Sequence, residues 1–528
     1  MPLSGKFLLF FSAVLATTAV GPVSGAGAQA PQIDWNACPE VGFPALQCGT
    51  FKVPYDYNKP HGKQFTLALQ KLPASGKSEK IGTLFTNPGG PGAPGLESWR
   101  VAAESRALIG AFDLIGFDPR GVGDTRPAFK CKSAYGEEPN EPLNSVGWME
   151  LEQINSALGA KANRACQSKS ADFIAHVGTN NVVRDLDRMR AAVGDAKLTY
   201  WGMSYGTRIG YVYAYRYPKK VRAMILDGSV TPDGSVADFT ALRSTGGDDA
   251  LRFIRSVSPA TYAAVISTRD SLFASELDLG GGLKIGAYVW LGLVVPNLLN
   301  QNNWPKIKPL AGVVAQARRV GQGGNKARQQ LRRLLGVVDE APAGGLGAGA
   351  NNAINCADYA DRPSARKRLQ IVRTVFSKAP VFGGQGAAVS APQCVGFTYR
   401  PDPVPKIASK ASIARVKNLK LVISDSTADA ATPLVWGRAM SKVFQSSSEV
   451  TMVTGNHVNF LSTFSECVNR PLRLYLLTLK MPPRRTTCAF SAPTGLDMGA
   501  AAARKGEVDP KAVVDSLIRS YRRARPLS

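Results

Sequence analysis

The chain has 528 residues, 44% of them hydrophobic, and a formal net charge of +25 at pH 7, with an isoelectric point near 9.8. Such a charge could indicate nucleic-acid binding, but no helix-turn-helix or finger pattern is present, and no arginine-rich tail alternates with aromatic residues. The positive charge is spread along the chain, with a modest concentration in residues 504–525. We therefore expect no nucleic-acid partner, and interpret the charge as favouring solubility or a loose association with an anionic cell envelope.

The N-terminus has the pattern of a secretory signal peptide. Lys6 supplies positive charge, residues 7–20 form an apolar run, and small residues follow at 26–30. We predict cleavage after Ala28, with no cysteine at the junction to carry a lipid. The run is too short to span a membrane, and no later segment is predicted to be transmembrane. The sequence thus predicts a protein that is secreted or held in the cell envelope.

Residues 82–86 are predicted to form a buried strand that leads into a loop rich in glycine and proline, residues 87–95. The loop contains a formal G-x-G-x-x-G match, but two prolines within it remove backbone donors that a dinucleotide pyrophosphate would need. An alternative role is an oxyanion hole, which requires a backbone N–H from an early loop of this kind. We assign that donor to Gly90 and predict no cofactor.

The most informative segment runs through residues 198–206, where an apolar strand ends in Gly202-Met203-Ser204-Tyr205-Gly206 and a helical pattern follows. A G-x-S-x-G match between a strand and a helix is the context of a nucleophile elbow. We predict Ser204 as the nucleophile and the Tyr205 N–H as the second oxyanion donor. The alternative is a glycine-rich strand-to-helix turn of another α/β protein.

Strand-like and helix-like segments alternate from residue 29 to 229, which predicts a largely parallel sheet in the first part of the core. Residues 230–412 are mostly helical in pattern. They are predicted to be a cap inserted before the strand that is expected to carry the catalytic acid. Within the cap, the apolar residues 288–296 either line a pocket or belong to the cap core. Residues 413–495 complete the core, and residues 496–528 form a basic C-terminal tail.

The acid of a catalytic triad is expected after the predicted strand at residues 419–424. Two aspartates compete there, Asp425 and Asp429. Asp429 stands directly before the turn that starts the next helix, where it can reach an imidazole, whereas Asp425 is expected to cap the strand end. We predict Asp429 as the acid.

The chain has three histidines, and in α/β-hydrolases the base follows the nucleophile and the acid along the chain. His61 and His176 precede the predicted nucleophile, so they are expected to be surface or structural residues. His457 lies in a predicted turn just after the end of a predicted strand at residues 449–454. We therefore predict His457 as the base.

The chain has eight cysteines, and an even number in an exported protein indicates disulfides. Pairing of neighbours along the chain is one of 105 connectivities. No C-x-x-C and no spare histidine is present, so no metal site is predicted. The neighbour pairs would be Cys38–Cys48, Cys131–Cys166, Cys356–Cys394 and Cys467–Cys488.

The motifs together resemble those of the exported tripeptidyl-aminopeptidase-like α/β-hydrolases, relatives of the prolyl aminopeptidases. The resemblance implies an α/β-hydrolase fold with a mostly parallel sheet, the triad Ser204, Asp429 and His457, and a dedicated C-terminal module. The segments that carry it are residues 48–57, 87–92, 116–121, 202–207, 226–228 and 353–358, together with Asp429 and residues 432–433.

The predicted cap departs from what an exopeptidase of this kind is expected to contain. A buried substrate ammonium needs an acidic partner, yet lysine and arginine outnumber aspartate and glutamate 20 to 11 in residues 231–400. The only glutamates there are Glu276 and Glu340, so an amine anchor would be an aspartate or Glu97. A basic, apolar cap would suit an uncharged or acidic small molecule.

The sequence therefore predicts an exported serine hydrolase that works through an acyl-enzyme. The resemblance implies aminopeptidase-like cleavage of short peptides, and the cap charge favours a carboxylic ester or lactone. A non-catalytic binding protein on the same scaffold is the remote alternative.

Overall fold

The computed structural model describes residues 32–38, 40, 43–76, 79–131, 147–340, 348–463, 465–492 and 509–523. The predicted signal peptide, its cleavage site and most of the low-complexity loop at 341–350 lie outside the described residues. Of the predicted tail, only residues 509–523 are described.

The described strands and helices alternate as the sequence predicted for an α/β core with a helical insertion. The strands are β1 Asp34–Ala37, β2 Gln47–Pro54, β3 Gln64–Leu72, β4 Gly82–Asn87, β5 Phe112–Phe117, β6 Leu198–Met203, β7 Val221–Asp227, β8 Leu277–Gly280, β9 Leu283–Ile285, β10 Val422–Ser426, β11 Ser448–Met452 and β12 Arg485–Cys488. The helices are α1 Trp99–Ala103, α2 Arg106–Ala111, α3 Trp148–Lys169, α4 Thr179–Ala192, α5 Gly206–Arg216, α6 Val236–Val257, α7 Pro259–Ala274, α8 Ala287–Leu298, α9 Trp304–Ala317, α10 Gln322–Glu340, α11 Ala348–Asp358, α12 Ala365–Lys378, α13 Gly383–Ser390, α14 Lys410–Val416, α15 Leu434–Val443, α16 Glu466–Thr478 and α17 Pro510–Arg523.

The core is a sheet of ten described strands in the order β1-β2-β3-β5-β4-β6-β7-β10-β11-β12. The strands from β5 to β12 along that order pair in parallel, and β1, β2, β3 and β5 pair antiparallel. Strand β6 is buried along its whole length, as expected for a central parallel strand covered by helices on both faces. The predicted fold class is therefore confirmed.

Parallel pairing brings the carboxyl ends of β4, β6, β7, β10 and β11 to one edge of the sheet. Ligand sites of open α/β sheets lie at this edge. The glycine-rich loop follows β4, Ser204 follows β6, Asp429 follows β10 and His457 follows β11. Residues far apart in sequence thus meet because their strands are neighbours.

The cap forms a separate hydrophobic cluster built mainly from α6 to α10. The apolar segment at 288–296 lies in α8, where Trp290, Leu291 and Val294 are fully buried in that cluster. The segment therefore belongs chiefly to the cap core. The insertion also contains the hairpin β8–β9, which its helical pattern did not predict.

Two elements outside the predicted insertion pack on the cap. Helix α3, which precedes the elbow, contacts α11, α12 and α13, and its Glu152 forms an ion pair with Arg368 of α12 at 2.5 Å. Helix α17 buries Val514 and Leu517 in the cap cluster. The described part of the basic tail is thus an amphipathic helix that packs on the cap.

Four disulfides join the neighbouring cysteines along the chain, as in the pairing considered above. None of the described cysteines is free. Such a set is consistent with an oxidising compartment. The pairs are Cys38–Cys48, Cys131–Cys166, Cys356–Cys394 and Cys467–Cys488.

Among the helices in the described ranges, none has both the length and the apolar character that a membrane span requires.

Candidate active site

Ser204 lies on a sharp turn between β6 and α5. Its φ is 55°, in the left-handed region that costs a residue with a side chain about 1 kcal/mol or more. The flanking glycines make the turn possible: a Cβ on Gly202 would lie 2.3 Å from the Gly206 carbonyl oxygen, and one on Gly206 would lie 2.6 Å from the Asn87 carbonyl oxygen. The elbow that the glycine spacing predicts is therefore present.

The backbone of Ser204 is fixed on both sides. Its N–H donates to the Asp227 carbonyl oxygen at 2.8 Å, and its carbonyl oxygen accepts from the Thr207 hydroxyl at 2.6 Å. The serine is partly exposed, whereas Met203 and Tyr205 on either side are buried. An accessible hydroxyl on a rigid turn is what a nucleophile requires.

The predicted acid and base are in hydrogen-bond contact. His457 Nδ1 lies 2.8 Å from Asp429 Oδ2, and Oδ1 of the same carboxylate accepts from the backbone N–H groups of Ala431 and Thr432 at 2.7 and 2.9 Å. The Thr432 hydroxyl donates to Asp429 Oδ2 at 2.7 Å. Because Nδ1 faces the carboxylate, Nε2 is the imidazole nitrogen left for another partner.

The end of β7 brings the serine and the histidine to one place. The Asp227 carbonyl oxygen accepts the Ser204 N–H, and the imidazole lies beside the next residue, Gly228. A Cβ on Gly228 would lie 3.2 Å from His457 Cε1, and its φ of 68° also favours glycine. Ser204 and His457 therefore both lie against the Asp227–Gly228 corner.

The segment after His457 is anchored by a residue that the sequence analysis gave no role. The Asp227 carboxylate accepts from the backbone N–H groups of Asn459 and Phe460 at 3.0 and 2.9 Å. From the cap side, the Leu299 carbonyl oxygen accepts the His457 N–H at 2.8 Å. An aspartate at the end of a buried strand, in the Leu-Asp-Gly segment, was the available signal for this role.

Opposing effects act on the imidazole. Burial lowers the pKa of His457, but the negative charge of Asp429 and its hydrogen bond outweigh burial, so the pKa lies above its usual 6.5. Arg243 of α6 acts in the lowering direction. That helix approaches the acid closely, since a Cβ on Gly246 would lie 2.8 Å from the Asp429 carbonyl oxygen, and Arg243 lies one turn earlier on the same helix face.

Asp425, the competing acid, points elsewhere. It lies within β10 rather than beyond its end, and Oδ1 accepts the Ser229 N–H at 2.7 Å. The carboxylate is buried against Gly437, where a Cβ would lie 1.8 Å from Oδ2. Burial raises the pKa of Asp425 to about 7. The structure therefore places Asp429, and not Asp425, beside the imidazole.

The glycine-rich loop lies directly against the elbow. A Cβ on Gly89 would lie 2.7 Å from Ser204 Cβ and 2.8 Å from the Tyr205 nitrogen. The Gly89 N–H itself donates to Asn87 Oδ1 at 3.1 Å, which leaves the Gly90 N–H as the better candidate donor. The role of Gly89 was missed, although its φ of 100° is a conformation for which glycine is the usual residue.

A buried ion pair locks the cap to the helix behind the nucleophile. Arg208 of α5 lies 3.0 Å from Asp358 of α11, and both side chains are fully buried. Asp358 also accepts from the Thr179 hydroxyl, which lies 2.6 Å from the Tyr205 hydroxyl. The motif at residues 353–358 therefore has a structural basis that the sequence alone did not give.

Several of the acidic side chains considered as amine anchors have other partners. Glu97 forms an ion pair with Arg100 at 3.2 Å, and Arg100 also pairs with Glu40. In the cap, the buried Asp248 carboxylate accepts the backbone N–H groups of Val381 and Phe382. Glu276 lies 3.8 Å from Lys284, and Glu340 lies in a part of α10 whose side chains are not described.

Comparison with known proteins agrees with this architecture. Residues 82–259 match the family model described as alpha/beta hydrolase fold. Together with the sheet order, this match shows that the chain has an α/β-hydrolase fold. Residues 379–488 match the model described as TAP-like protein, which begins inside the predicted cap rather than at residue 413. The two matches confirm the resemblance to the TAP-like α/β-hydrolases that was found in the sequence.

Three curated relatives bear different names. Serine protease Hip1 of Mycobacterium tuberculosis is 41% identical over 231 residues, covering 42% of this chain and 44% of the relative. Tripeptidyl aminopeptidase of Streptomyces coelicolor is 38% identical over 218 residues, 40% of each chain. The chain thus spans less than half the length of these two relatives. Carboxylesterase B of Mycobacterium tuberculosis is 28% identical over 516 residues, covering 89% of this chain and 92% of the relative.

Proposed function

We propose that the protein is a serine hydrolase in which Ser204, His457 and Asp429 form a catalytic triad. The observation that carries the proposal is the juxtaposition of a partly exposed serine on a strained elbow with an Asp429–His457 pair at the same corner of the sheet. The names of the relatives, a serine protease, a tripeptidyl aminopeptidase and a carboxylesterase, support it.

The geometry suggests a division of roles. His457 Nε2 takes the proton of the Ser204 hydroxyl while Oγ attacks the substrate carbonyl, and Asp429 holds the imidazole through Nδ1 and stabilises its positive charge. The Gly90 and Tyr205 N–H groups stabilise the tetrahedral oxyanion. The leaving group departs with the proton from His457, and water then attacks the acyl-enzyme with His457 again as base.

We also propose that the protein is exported, as the N-terminal pattern predicts. The four disulfides support this proposal because such bonds persist in oxidising compartments.

The leading substrate class is a short peptide cleaved from its N-terminus, in the manner named for the Streptomyces relative. The aligned segments of that relative and of the serine protease favour an amide substrate. The TAP-like module supports the same class.

A carboxylic ester or lactone is the second candidate, and Arg243 is the observation that favours it. A guanidinium close enough to lower the pKa of His457 also repels a substrate ammonium. The described candidate amine anchors Glu97, Glu276 and Asp248 already have cationic or N–H partners. The carboxylesterase, which aligns over most of this chain, agrees with this candidate.

A matched substrate panel tests the proposal. The purified protein would be assayed on aminoacyl and tripeptidyl anilides, their N-acylated forms, aryl esters and lactones, with labelling by a fluorophosphonate in parallel. We expect turnover of at least one class together with labelling of Ser204. Absence of both turnover and labelling in a folded protein would favour the non-catalytic scaffold.

A further inference from the structure

A cavity lies in the C-terminal module, and none of the triad residues is among its lining residues. It has a volume of about 1010 Å³ and is bounded by helix α15 on one side and by strands β11 and β12 on the other. Of its lining residues only Thr427 belongs to the turn that carries Asp429. We call this cavity the module groove.

One wall of the module groove is a face of helix α15, and the other is formed by strand β11 and the edge strand β12. Leu434, Arg438, Ser441 and Lys442 recur at the spacing of one face of α15, Gln445 follows the end of the helix, and the opposite face of α15 is buried in the core. The facing wall is formed by Glu449 and Thr451 of β11 and by residues 484–487 at the edge strand. The groove is thus a consequence of the packing of rigid elements.

The lining is strongly cationic. Arg438 and Lys442 extend from the helix, and Arg484 and Arg485 extend from the facing wall, against the single carboxylate of Glu449. All four cationic residues are exposed. Within the described ranges, one ion pair forms among them, between Arg485 and Glu449 at 3.9 Å with Arg485 81% exposed. Such a pair neutralises little of the charge.

The remaining lining identifies the chemistry of a partner. The hydroxyls of Thr427, Ser441, Thr451, Thr486 and Thr487 lie among the cations, and no aromatic side chain is among the lining residues. Single-stranded nucleic acids are bound largely by stacking bases on aromatic rings, which this groove does not offer. Guanidinium and ammonium groups recognise phosphate and carboxylate, and hydroxyls suit the alcohol groups of a sugar or polyol.

We propose that the module groove binds an anionic, hydroxyl-rich polymer, namely a glycan or polyol chain that carries carboxylate or phosphodiester groups. Such a site would hold the enzyme on a polymer surface independently of its hydrolytic site. It gives a defined location to an attraction that net charge alone would spread over the whole surface.

Binding would be measured by fluorescence anisotropy on the full chain. The probes are a labelled oligogalacturonate for carboxylate, a labelled oligomer of glycerol phosphate for phosphodiester, and an uncharged dextran oligosaccharide. We expect at least one anionic probe to bind, the dextran not to bind, and affinity to fall as salt is raised from about 0.05 to about 0.3 M. The stronger of the two anionic probes identifies the source of the charge.

The variant Arg438→Gln/Lys442→Gln should weaken binding about tenfold or more, since it removes two cations from one wall. The control Lys410→Gln/Lys417→Gln removes the same net charge from exposed positions outside the groove and should change the affinity less than about twofold. Ester or anilide hydrolysis should be unaltered in both, so the test does not depend on the proposed reaction. Equal loss in the two variants, or tighter binding of a DNA oligonucleotide at the groove, would overturn the proposal.

Discussion

Ser204 adopts a conformation that glycine would adopt more cheaply, with φ of 55°, and a serine retained there is expected to act through its hydroxyl. Ser204→Ala should abolish turnover and fluorophosphonate labelling while leaving the melting temperature near that of the parent. Residual activity of roughly 10³-fold over water would reflect the oxyanion hole and binding. Ser446→Ala, at an exposed serine after α15, is the matched control and should keep full activity; an active Ser204→Ala would refute the triad.

Asp425 and Asp429 have different neighbours, so the same substitution to asparagine should affect catalysis differently at the two positions. Asp429→Asn should lower kcat by about 10⁴, because the amide would favour the wrong imidazole tautomer. Asp425→Asn should lower kcat less than about tenfold, since that side chain contacts Ser229 and not the imidazole. Steady-state kinetics on one neutral ester would decide, and the reverse order of effects would transfer the acid role to Asp425.

The pH profile follows from the raised pKa of His457. A base must be unprotonated, and the charge of Asp429 stabilises the imidazolium, so kcat/KM should rise with pH through an apparent pKa above 6.5 and be lost on acidification. In Asp429→Asn the rising limb should move to lower pH, although the plateau falls. The profile would be measured with a neutral ester. A wild-type limb below 6.5, or a limb that does not move in the variant, would contradict this account.

At the residue scale the sequence predicted the residues that share a motif and missed those whose role depends on contacts across the edge of the sheet. Glycine spacing identified the elbow, and chain order singled out His457. The roles of Gly89 and of Thr432 depend on which atoms meet across the sheet edge. No spacing along the chain encodes those contacts.

At the element scale, helix α6 packs closely against the turn that carries Asp429, which we call the acid turn, because Gly246 has no side chain. A Cβ on Gly246 would lie 2.7 Å from the Ala430 carbonyl oxygen. That oxygen belongs to the backbone, so it cannot move aside as a flexible side chain could. Gly246→Ala should therefore lower stability by about 1–3 kcal/mol and reduce kcat by displacing Asp429. Thermal melting and kinetics well below the melting temperature would measure both effects.

The control is Gly292→Ala in α8, where nothing lies within 4 Å of the added methyl group. There the substitution should be neutral or stabilise by about 0.5–1 kcal/mol, because alanine costs less backbone entropy in a helix. Similar effects of the two substitutions would show that the contact between α6 and the acid turn does not constrain the site.

The positions of several core strands were predictable from the sequence, but the packing partners of the helices were less so. Strands β4 and β6 lie close to their predicted positions because buried parallel strands are continuous apolar runs. Helices α3 and α17 have apolar faces that any cap could cover. Only the fold brings them to the insertion, at Arg368 and at the cluster that contains Leu517.

At the scale of the whole molecule, the positively charged side chains lie in different environments and therefore act differently. In the module groove it is exposed and available to a polymer, whereas Arg208 and Arg120 are fully buried against Asp358 and Asp185. Arg243 belongs to neither group. It lies on the cap helix that crosses the acid turn, where its charge acts on the imidazole.

The position of Arg243 leads to a prediction about the substrate amine. A free aminoacyl or tripeptidyl anilide and its N-acetylated twin would be compared with a neutral aryl ester. If the cap repels an ammonium, acetylation should cost less than about tenfold in kcat/KM, which corresponds to about 1.4 kcal/mol, and the ester should be hydrolysed readily. Arg243→Gln should then raise kcat/KM for the free amine relative to its acetylated twin. Loss of all cleavage on acetylation would instead require a carboxylate that binds the amine, and would establish the aminopeptidase class for this site.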